Sequence, residues 1–453
     1  MPLRARLVEV LRHRETLTAA GLAAALIAQN ILALAFTIVL ARLLGATDYG
    51  SLAALTSTFL ILTVPGSALQ VATARETALG RLGEGPRLAA TLRRWLGRLA
   101  LATVAVAALS VALREPLASL IGVEEEWAAA ATLPTGCLWL LLCVERGALQ
   151  GMHAYKPVGI SMVLEAVGRL VLGVILAVAG LSVTGAFLGA PAAIAVTAIV
   201  LGVLLHRRLG HPAGSEARTL RGLAGATWAP VAGLTLIAVL QNIDVIVVKH
   251  EIGGDLAGSY AAAAVAAKVV IWVAIGIGLY VLPESTRRGA TGHDPRPVLA
   301  RALLVLAVVA APMLLVYAAV PDLVLRIGFG ADLTGAADAL VILGAAMTLL
   351  AAAYLGVQHL LALGRYAFLG ALAAVAVVEP LLLFSGEWTV EGFALVVLGA
   401  QAAAAVIVVG MAVRARSARA DRIGVPGEPP QGAEGLPELM PEPATAAAEA
   451  QPR

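Results

Sequence analysis

Long apolar stretches recur along this chain, separated by short polar segments. Each stretch holds about 20 apolar residues, the length with which an α-helix crosses the hydrocarbon core of a bilayer. Twelve are found, at about residues 17–43, 49–72, 91–113, 128–150, 158–180, 185–206, 225–248, 257–283, 298–321, 335–361, 366–384 and 391–414. The pattern predicts an all-α polytopic membrane protein with twelve transmembrane helices.

Positive charges alternate between the two ends of these predicted helices. If the N-terminus is cytoplasmic, the cytoplasmic tails and loops hold 26 of the 32 Lys and Arg residues. The outer loops hold only Arg42, Arg114, Lys249 and Arg326. Cytoplasmic loops of membrane proteins are enriched in Lys and Arg, and a wrong helix count would disrupt the alternation. The charges therefore predict a multi-pass protein with both termini in the cytoplasm.

Composition excludes several classes of protein. Hydrophobic residues make up 60% and charged residues 13% of the chain, and the mean hydropathy is +0.90. Soluble proteins hold about 25% charged residues, so a soluble enzyme and a nucleic-acid reader are excluded despite a pI near 9.0. Only three of the cations are lysines. Together with the Ala and Gly content, this favours a high-GC bacterial source, and we expect the protein in the bacterial plasma membrane.

The sequence divides into four predicted segments. Residues 1–16 form a basic cytoplasmic tail, residues 17–212 an N-lobe of six helices, and residues 213–416 a C-lobe of six helices. Residues 417–453 are rich in Pro, Glu and Ala, which predicts a disordered cytoplasmic tail. The first apolar stretch is too long for the apolar region of a cleaved signal peptide, so we expect it to remain as the first transmembrane helix.

An internal repeat relates the two predicted lobes. At an offset of 208 residues, Leu44-Gly45 matches Ile252-Gly253, Gly50-Ser51 matches Gly258-Ser259, and Gln150 matches Gln358. Gln29-Asn30-Ile31 recurs as Gln241-Asn242-Ile243 at an offset of 212. An even number of helices in each half makes the repeats parallel. We therefore expect two packed six-helix bundles with a cleft between them.

Two cations lie near the middle of predicted helices, where a charge costs roughly 2.5–3.5 kcal/mol on insertion scales. They are Arg169 in the fifth helix and Lys268 in the eighth. In one interpretation both face the cleft and receive an anionic group such as a diphosphate. In the other they form internal salt bridges, Arg169 with Glu165 and Lys268 with Asp244. The sequence leaves both open.

Further polar residues in the apolar stretches extend these two interpretations. Asn30, Gln241 and Asn242 are neutral polar candidates for lining the cleft. Arg146 either contributes to a headgroup site there or forms an interfacial pair with Glu145. Asp244, Glu165 and Glu379 are candidates for coupling to a proton or sodium ion, Asp244 being alternatively a partner of Lys249.

The chain shows no catalytic or nucleotide-binding motif. It has no P-loop, no His or Cys at metal-ligand spacing, and two cysteines, Cys137 and Cys143, about 240° apart on one helix. The sequence thus predicts no enzyme, no cofactor and no bound nucleotide or nucleic acid. Uphill transport would then use an ion gradient or the membrane potential.

Four stretches resemble polysaccharide flippases, the lipid-linked oligosaccharide exporters of the multidrug/oligosaccharidyl-lipid/polysaccharide (MOP) superfamily. They begin at Leu40 (Leu-Ala-Arg-Leu-Leu-Gly-Ala-Thr-Asp-Tyr-Gly), Arg146 (Arg-Gly-Ala-Leu-Gln-Gly-Met-His), Asn242 (Asn-Ile-Asp-Val-Ile-Val-Val-Lys) and Gly258 (Gly-Ser-Tyr-Ala-Ala-Ala). The resemblance covers about residues 17–414. It implies a two-lobe fold of the multidrug and toxic compound extrusion (MATE) type, in which a polyprenyl-diphosphate-linked saccharide moves to the outer leaflet by alternating access. Some relatives have fourteen helices, whereas this chain has twelve.

The sequence leaves alternatives to the flippase open. Multidrug/ion antiporters share the fold, although a cavity for cationic drugs should be net acidic. An intramembrane polymerase or glycosyltransferase is disfavoured by the short outer loops. A scaffold that recruits glycan assembly enzymes through residues 417–453 is a third alternative. The sequence specifies neither the sugar nor the coupling ion.

Overall fold

The computed structural model describes residues 14–226, 228–291 and 293–415, and the described chain is helical, without strands. We number its α-helices in chain order: α1 (Arg14–Ala78), α2 (Gly85–Ala112), α3 (Arg114–Ile121), α4 (Glu126–Gly151), α5 (Tyr155–Leu176), α6 (Ser182–Leu209), α7 (Leu220–Ala226), α8 (Trp228–Glu251), α9 (Gly254–Ala267), α10 (Val269–Ala290), α11 (Arg296–Ala319), α12 (Pro321–Gly328), α13 (Ala339–Ala362), α14 (Phe368–Phe384) and α15 (Val390–Arg414). The predicted tail at 417–453 and most of that at 1–16 lie outside the described residues.

Two long helical runs each contain two membrane crossings. The run Gly21–Ala78 has 58 residues and would measure about 87 Å as one straight helix, far more than a bilayer. It is broken at Gly45, where φ is +77° and ψ is 178°. The run Tyr155–Leu209 is broken at the π-helical turn Ala177–Leu181, where Gly180 has φ +99°.

The crossings agree with the predicted architecture. Nine described helical runs are long and apolar enough to span a membrane, and the shorter α14 is also apolar. Because two of the nine contain two crossings each, these runs are consistent with twelve transmembrane helices. One hydrophobic core gathers residues of α1 to α7, and a second gathers residues of α8 to α15 together with four residues of α1. The predicted all-α fold is confirmed for the described residues, and the two cores are consistent with two lobes of six helices.

The predicted repeat is visible in the backbone. Gly45 and Gly253, which match at the offset of 208, both adopt positive φ, +77° and +63°. Gly50 and Gly258, the next matching pair, pack against each other across the lobes. Each lobe thus begins with two helices joined by a turn that needs the left-handed conformation available to glycine.

Two features differ from the predicted helices. Short helices α3 and α12 occur in segments that the apolar pattern assigned to helix ends and loops. The predicted eighth helix is interrupted at Lys268, which separates α9 from α10. The amide of Ile271 bonds to the carbonyl of Lys268 at 3.0 Å, a three-residue spacing that tightens the turn there.

The lobes meet at the end of the molecule that carries the turns at Gly45, Gly122 and Gly253, which we call the sealed end. Thr47 Oγ1 donates to Asp255 Oδ1 at 2.5 Å, and these residues are also related by the offset of 208. Arg42 Nη2 donates to the carbonyl of Ile327 at 2.5 Å, and Lys249 Nζ to that of Thr47 at 3.3 Å. We call the opposite end, with the loops after α1, α6 and α10, the basic end.

Candidate functional site

A cavity of about 440 Å³ lies between the two lobes. It is lined by α1, α4 and α5 from the N-lobe and by α8, α9, Lys268 and α10 from the C-lobe. Its polar side chains gather at the middle of these helices. They include Gln29, Asn30, Glu165, Arg169, Gln241, Asn242 and Lys268. The two Gln-Asn pairs of the repeat thus line one cavity.

Aromatic and exposed side chains define the boundaries of this cavity. Phe36, Trp139 and Tyr49 form part of its wall, Tyr49 being buried toward the sealed end. Trp272 and Leu60, 38% and 40% exposed, also line it. The cavity therefore has an exposed edge between α1 and α10. Aromatic residues scattered through apolar helices carry no sequence signal for such a role.

Among the described residues, no carboxylate forms an ion pair with Arg169, which presents its cation to the cavity. Its guanidinium carbon lies 5.3 Å from the centre of the Phe36 ring, a cation–π arrangement. Its Nε is buried and has no hydrogen-bond partner. On the neighbouring turn of α5, Gly173 packs against Gly189 of α6 so tightly that a Cβ on Gly189 would lie 2.4 Å from the Gly173 nitrogen. This contact fixes α5 against α6.

The salt bridge predicted as one alternative for Glu165 and Arg169 is absent from the described structure. Glu165 instead accepts a hydrogen bond from Gln29 Nε2 at 3.1 Å and lies 3.8 Å from Nη2 of Arg146. The four-residue spacing gives the two side chains neighbouring positions on α5, but Glu165 turns toward α4 and Arg169 toward Phe36. The guanidinium of Arg169 therefore stays available to a ligand.

The structure places Arg146 outside the cavity, in contrast to its predicted position there. It is 2% exposed, and its Nε and Nη2 donate to Oγ and the carbonyl of Ser161, both at 3.0 Å. Its guanidinium also lies 5.6 Å from the Trp139 ring. These contacts hold Arg146 between α4 and α5, where it neutralises Glu165. It has no hydrogen bond to Glu145.

Lys268 lies at the interruption between α9 and α10 and reaches the cavity from the C-lobe. Its Nζ donates to Asn242 Oδ1 at 3.1 Å. The alternative salt bridge to Asp244 is not formed in the described structure, although the two charges lie within electrostatic range. The predicted contact of Asp244 with Lys249 is absent as well, because Lys249 reaches Thr47 at the sealed end. Lys268 is thus held by an amide.

Asp244 and Glu379 belong to a buried group of polar side chains in the C-lobe. Both residues are 0% exposed, and their charges lie within electrostatic range of each other. Tyr260 donates from its hydroxyl to Asp244 Oδ2 at 3.1 Å, and Gln401 donates from Nε2 to Glu379 Oε1 at 3.1 Å. In the part of the chain that the structure describes, Asp244 Oδ1 and Gln401 Oε1 have no hydrogen-bond partner. We call Asp244, Tyr260, Glu379 and Gln401 the carboxylate cluster.

Local sequence explains how this cluster is held. Pro380 follows Glu379 inside α14, and a proline in a helix removes one backbone hydrogen bond. Gln401 Nε2 also donates to the carbonyl of Leu240 at 2.9 Å, joining α15 to α8. Tyr260 was not predicted as a site residue. The one signal in the sequence was a phenolic hydroxyl ahead of four alanines in an apolar stretch.

Comparisons with known proteins identify the fold. No family model and no curated protein matches this sequence. An inward-facing multidrug resistance MATE family transporter of the MOP superfamily superposes with a TM-score of 0.72 at 13% identity, over 88% of this chain and 96% of that chain. The lipid II flippase MurJ, in an inward closed conformation, superposes with a TM-score of 0.70 at 14% identity, over 87% of each chain.

A eukaryotic MATE transporter, AtDTX14, extends the comparison, with a TM-score of 0.60 at 15% identity over 90% of this chain and 98% of that chain. At such identities the likeness establishes the fold alone. This chain has the fold of MATE transporters and of MurJ.

Proposed function

We propose that this chain is a membrane transporter of the MOP type that moves a polyprenyl-diphosphate-linked oligosaccharide, or a related saccharide precursor, from the inner to the outer leaflet. The observation that carries the proposal is the guanidinium of Arg169, which faces a cavity between two lobes without a carboxylate partner. A guanidinium binds phosphate oxygens in a bidentate manner. Lys268 supplies a second cation to the same cavity.

In the proposed cycle, the headgroup enters the cavity while the polyprenyl chain stays in the bilayer. The exposed edge beside Trp272 and Leu60 provides the opening through which the chain leaves the cavity. Asn30, Gln29 and Gln241 offer hydrogen bonds to sugar hydroxyls. Opening of the sealed end, with separation of Thr47 from Asp255, then releases the headgroup on the opposite side.

We further propose that the carboxylate cluster couples transport to a proton or sodium ion. Two buried carboxylates repel each other when both are charged, and a hard cation or a proton between them removes that repulsion. The cluster lies near the cavity because Asp244 is within electrostatic range of Lys268, which lines the cavity. Glu165, the third predicted ion site, is already paired with Arg146.

The orientation that we propose places the basic end in the cytoplasm of a bacterium, with both termini there. This rests on the excess of Lys and Arg at that end. The partners are then the lipid bilayer, the lipid-linked saccharide and glycan assembly enzymes. The described residues carry no long domain outside the helices that could supply catalysis.

Leaflet exchange in proteoliposomes tests this proposal. The full chain is reconstituted with a fluorescent polyprenyl-diphosphate disaccharide, and the fraction accessible to an external quencher is followed with time. We expect flipping by the wild type and by Arg326→Gln, which removes an exposed arginine that does not line the cavity. We expect a roughly 10- to 100-fold slower rate for Arg169→Gln, the loss of a charged hydrogen bond. Equal rates for Arg169→Gln and wild type would contradict the proposal.

A second candidate function is multidrug/ion antiport. The observation that favours it is the aromatic wall of the cavity, Phe36, Trp139 and Trp272 among others, because aromatic rings bind organic cations. Two cavity cations oppose the binding of such drugs. Altered drug tolerance of a deletion strain, with an unchanged profile of polyprenyl-linked lipids, would favour antiport. Accumulation of one sugar-lipid on the inner leaflet would favour the flippase.

A further inference from the structure

A second cavity lies away from the site between the lobes, in a groove that α5 and α6 form on the outer surface of the N-lobe. Its volume is about 550 Å³. The side chains that line it are almost entirely apolar. Four of these residues are about half exposed: Ile160, Leu164, Val196 and Val200. In a membrane-spanning bundle such a groove faces the acyl chains of the bilayer rather than water.

Two cations stand at one end of this groove. Lys156 lies in the first turn of α5 and Arg208 in the last turn of α6, so both lie at the basic end of the molecule. Both side chains are exposed, and neither forms an ion pair with a carboxylate in the described part of the chain. An apolar groove that ends in two unpaired cations is complementary to an amphiphile with an anionic head and a long apolar chain.

The length of the groove matches one leaflet. Its lining runs along α5 from Lys156 to Leu172 and along α6 from Arg208 to Ala193. At 1.5 Å per residue these segments measure about 24 and about 22 Å. Half of a bilayer, with its headgroup region, is about 20–22 Å thick. A lipid whose phosphate contacts Lys156 and Arg208 would therefore place its chain along the groove over about the depth of one leaflet.

We propose that this groove is a binding site for an anionic phospholipid of the leaflet at the basic end, held by Lys156 and Arg208 through its phosphate and by the groove through one acyl chain. The site is separate from the cavity that carries the proposed function, and its test does not depend on transport. A phospholipid is favoured over a free phosphate because the apolar groove is far larger than the two-cation end.

The groove shares a residue, Ser161, with the polar contacts that hold α5 at the wall of the cavity between the lobes. Ser161 lines the groove, and its Oγ and carbonyl accept the hydrogen bonds of Arg146. Arg146 lies 3.8 Å from Glu165, which accepts from Gln29 of the cavity. An occupied groove would therefore stabilise α5 in the position from which Arg169 faces the cavity.

Native mass spectrometry of the detergent-purified full chain tests the proposal. The protein is titrated with dioleoyl phosphatidylglycerol and, separately, with dioleoyl phosphatidylcholine. We expect one phosphatidylglycerol to be retained at about tenfold lower concentration than phosphatidylcholine. The charge variant Lys156→Gln/Arg208→Gln should lose this preference. The matched variant Arg75→Gln/Arg301→Gln, which removes two exposed arginines elsewhere on the chain, should keep it.

A second pair of variants tests the acyl-chain half of the site. Leu164→Trp fills the groove at a position that is 58% exposed, so folding should be unaffected. Ile175→Trp is its control, on the same helix and 56% exposed, but outside the groove. We expect only Leu164→Trp to lose phosphatidylglycerol.

Three outcomes would overturn the proposal. Equal retention of the two phospholipids by the wild type would show that the cations select no headgroup. Loss of binding in the charge variant with full retention by Leu164→Trp would reduce the site to a surface patch without a bound chain. Tighter retention of farnesyl phosphate than of phosphatidylglycerol would assign the groove to isoprenoid phosphates.

Discussion

The two lobes hold their cavity cations in different surroundings. In the N-lobe, Arg169 lies over the Phe36 ring, and its Nε has no hydrogen-bond partner. In the C-lobe, Lys268 donates to Asn242 at a helix interruption, beside the carboxylate cluster. We propose that this difference separates two tasks, ligand binding and ion coupling, which the sequence analysis did not distinguish. The N-lobe cation is available to an anionic ligand, whereas the C-lobe cation already belongs to a polar network that an ion can change.

The same divergence occurs where the repeat is otherwise well preserved. Gln70 Nε2 donates to Gln150 Oε1 at 3.2 Å. At the offset of 208, Gln150 corresponds to Gln358, but Gln70 corresponds to Gly278. Gln358 donates instead to the hydroxyl of Tyr354 at 2.7 Å, and a Cβ on Gly278 would lie 3.0 Å from that hydroxyl. The two lobes thus keep equivalent helices, but the equivalent glutamines Gln150 and Gln358 bond to different partners.

The largest effect that we expect is a difference in stability between variants of two arginines of the N-lobe. Arg146→Gln leaves Glu165 buried without its cation, which should lower the free energy of unfolding by about 3–5 kcal/mol. Arg169→Gln should leave it nearly unchanged, because Arg169 has no charged partner in the described chain. Unfolding by sodium dodecyl sulfate in mixed micelles measures both.

The double variant Arg146→Met/Glu165→Leu is the control for this prediction. Removing both charges avoids an uncompensated buried carboxylate, so most of the lost stability should return. If the single variant Arg146→Gln were as stable as the wild type, the contrast between a structural and a ligand-accessible arginine would fail.

The next effect compares the matching glycines at the sealed end. A Cβ on Gly258 would lie 1.8 Å from the carbonyl oxygen of Ala46, whereas a Cβ on Gly50 would lie 3.1 Å from the Gly258 nitrogen. Overpacking of this kind costs about 1–3 kcal/mol. We expect Gly258→Ala to separate the lobes there and Gly50→Ala to have a smaller effect. Disulfide formation between Thr47→Cys and Asp255→Cys reports the separation.

In that measurement the cysteine pair should form readily on the otherwise unchanged chain, because the side-chain oxygens of the native residues are 2.5 Å apart. Adding Gly258→Ala should slow the reaction more than adding Gly50→Ala. Equal slowing by both substitutions would mean that the two repeats pack symmetrically at this contact.

Particular residues show how far sequence reasoning reaches. The repeat predicted that Gly45 and Gly253 are equivalent, and both adopt positive φ, because a backbone that only glycine adopts easily leaves a visible signature. The depth of Arg169 and Lys268 in apolar stretches also predicted cations at the middle of the bundle. The length of an apolar stretch and the position of a charge within it can both be read from the sequence, so these features could be predicted.

The sequence pattern did not predict the direction in which each polar side chain points from its helix. Arg146 was a candidate both for the cleft and for a pair with Glu145, but its position on α4 directs its side chain to Ser161 instead. The four-residue spacing of Glu165 and Arg169 allowed a salt bridge, yet Gln29 and Arg146 compete for the carboxylate. Such partners come from other helices, far away in sequence, so only the packed bundle decides between them.

The third effect is a difference in flipping kinetics between variants of the two cavity cations, Arg169 and Lys268. Arg169→Met should raise the concentration of lipid-linked saccharide needed for half-maximal flipping about tenfold, the loss of one charged hydrogen bond. Lys268→Met should instead change how the rate depends on pH or sodium, because it removes the charge next to Asp244. Flipping in proteoliposomes at varied substrate, pH and sodium separates the two. Identical profiles for both variants would contradict the division of tasks between the lobes.

The smallest effect concerns Glu125, at the sealed end of the N-lobe, where the C-lobe carries Leu333 at the offset of 208. Burial raises the pKa of Glu125, the charge of Asp48 adds to this rise, and Lys249 opposes it. The folded protein therefore binds this proton more tightly than the unfolded chain, for which the pKa is about 4.3. Stability should fall as pH rises through the raised pKa. In thermal unfolding from pH 4 to 8, Glu125→Gln should flatten this slope. An unchanged slope would show that Glu125, like Leu333, leaves the seal insensitive to pH.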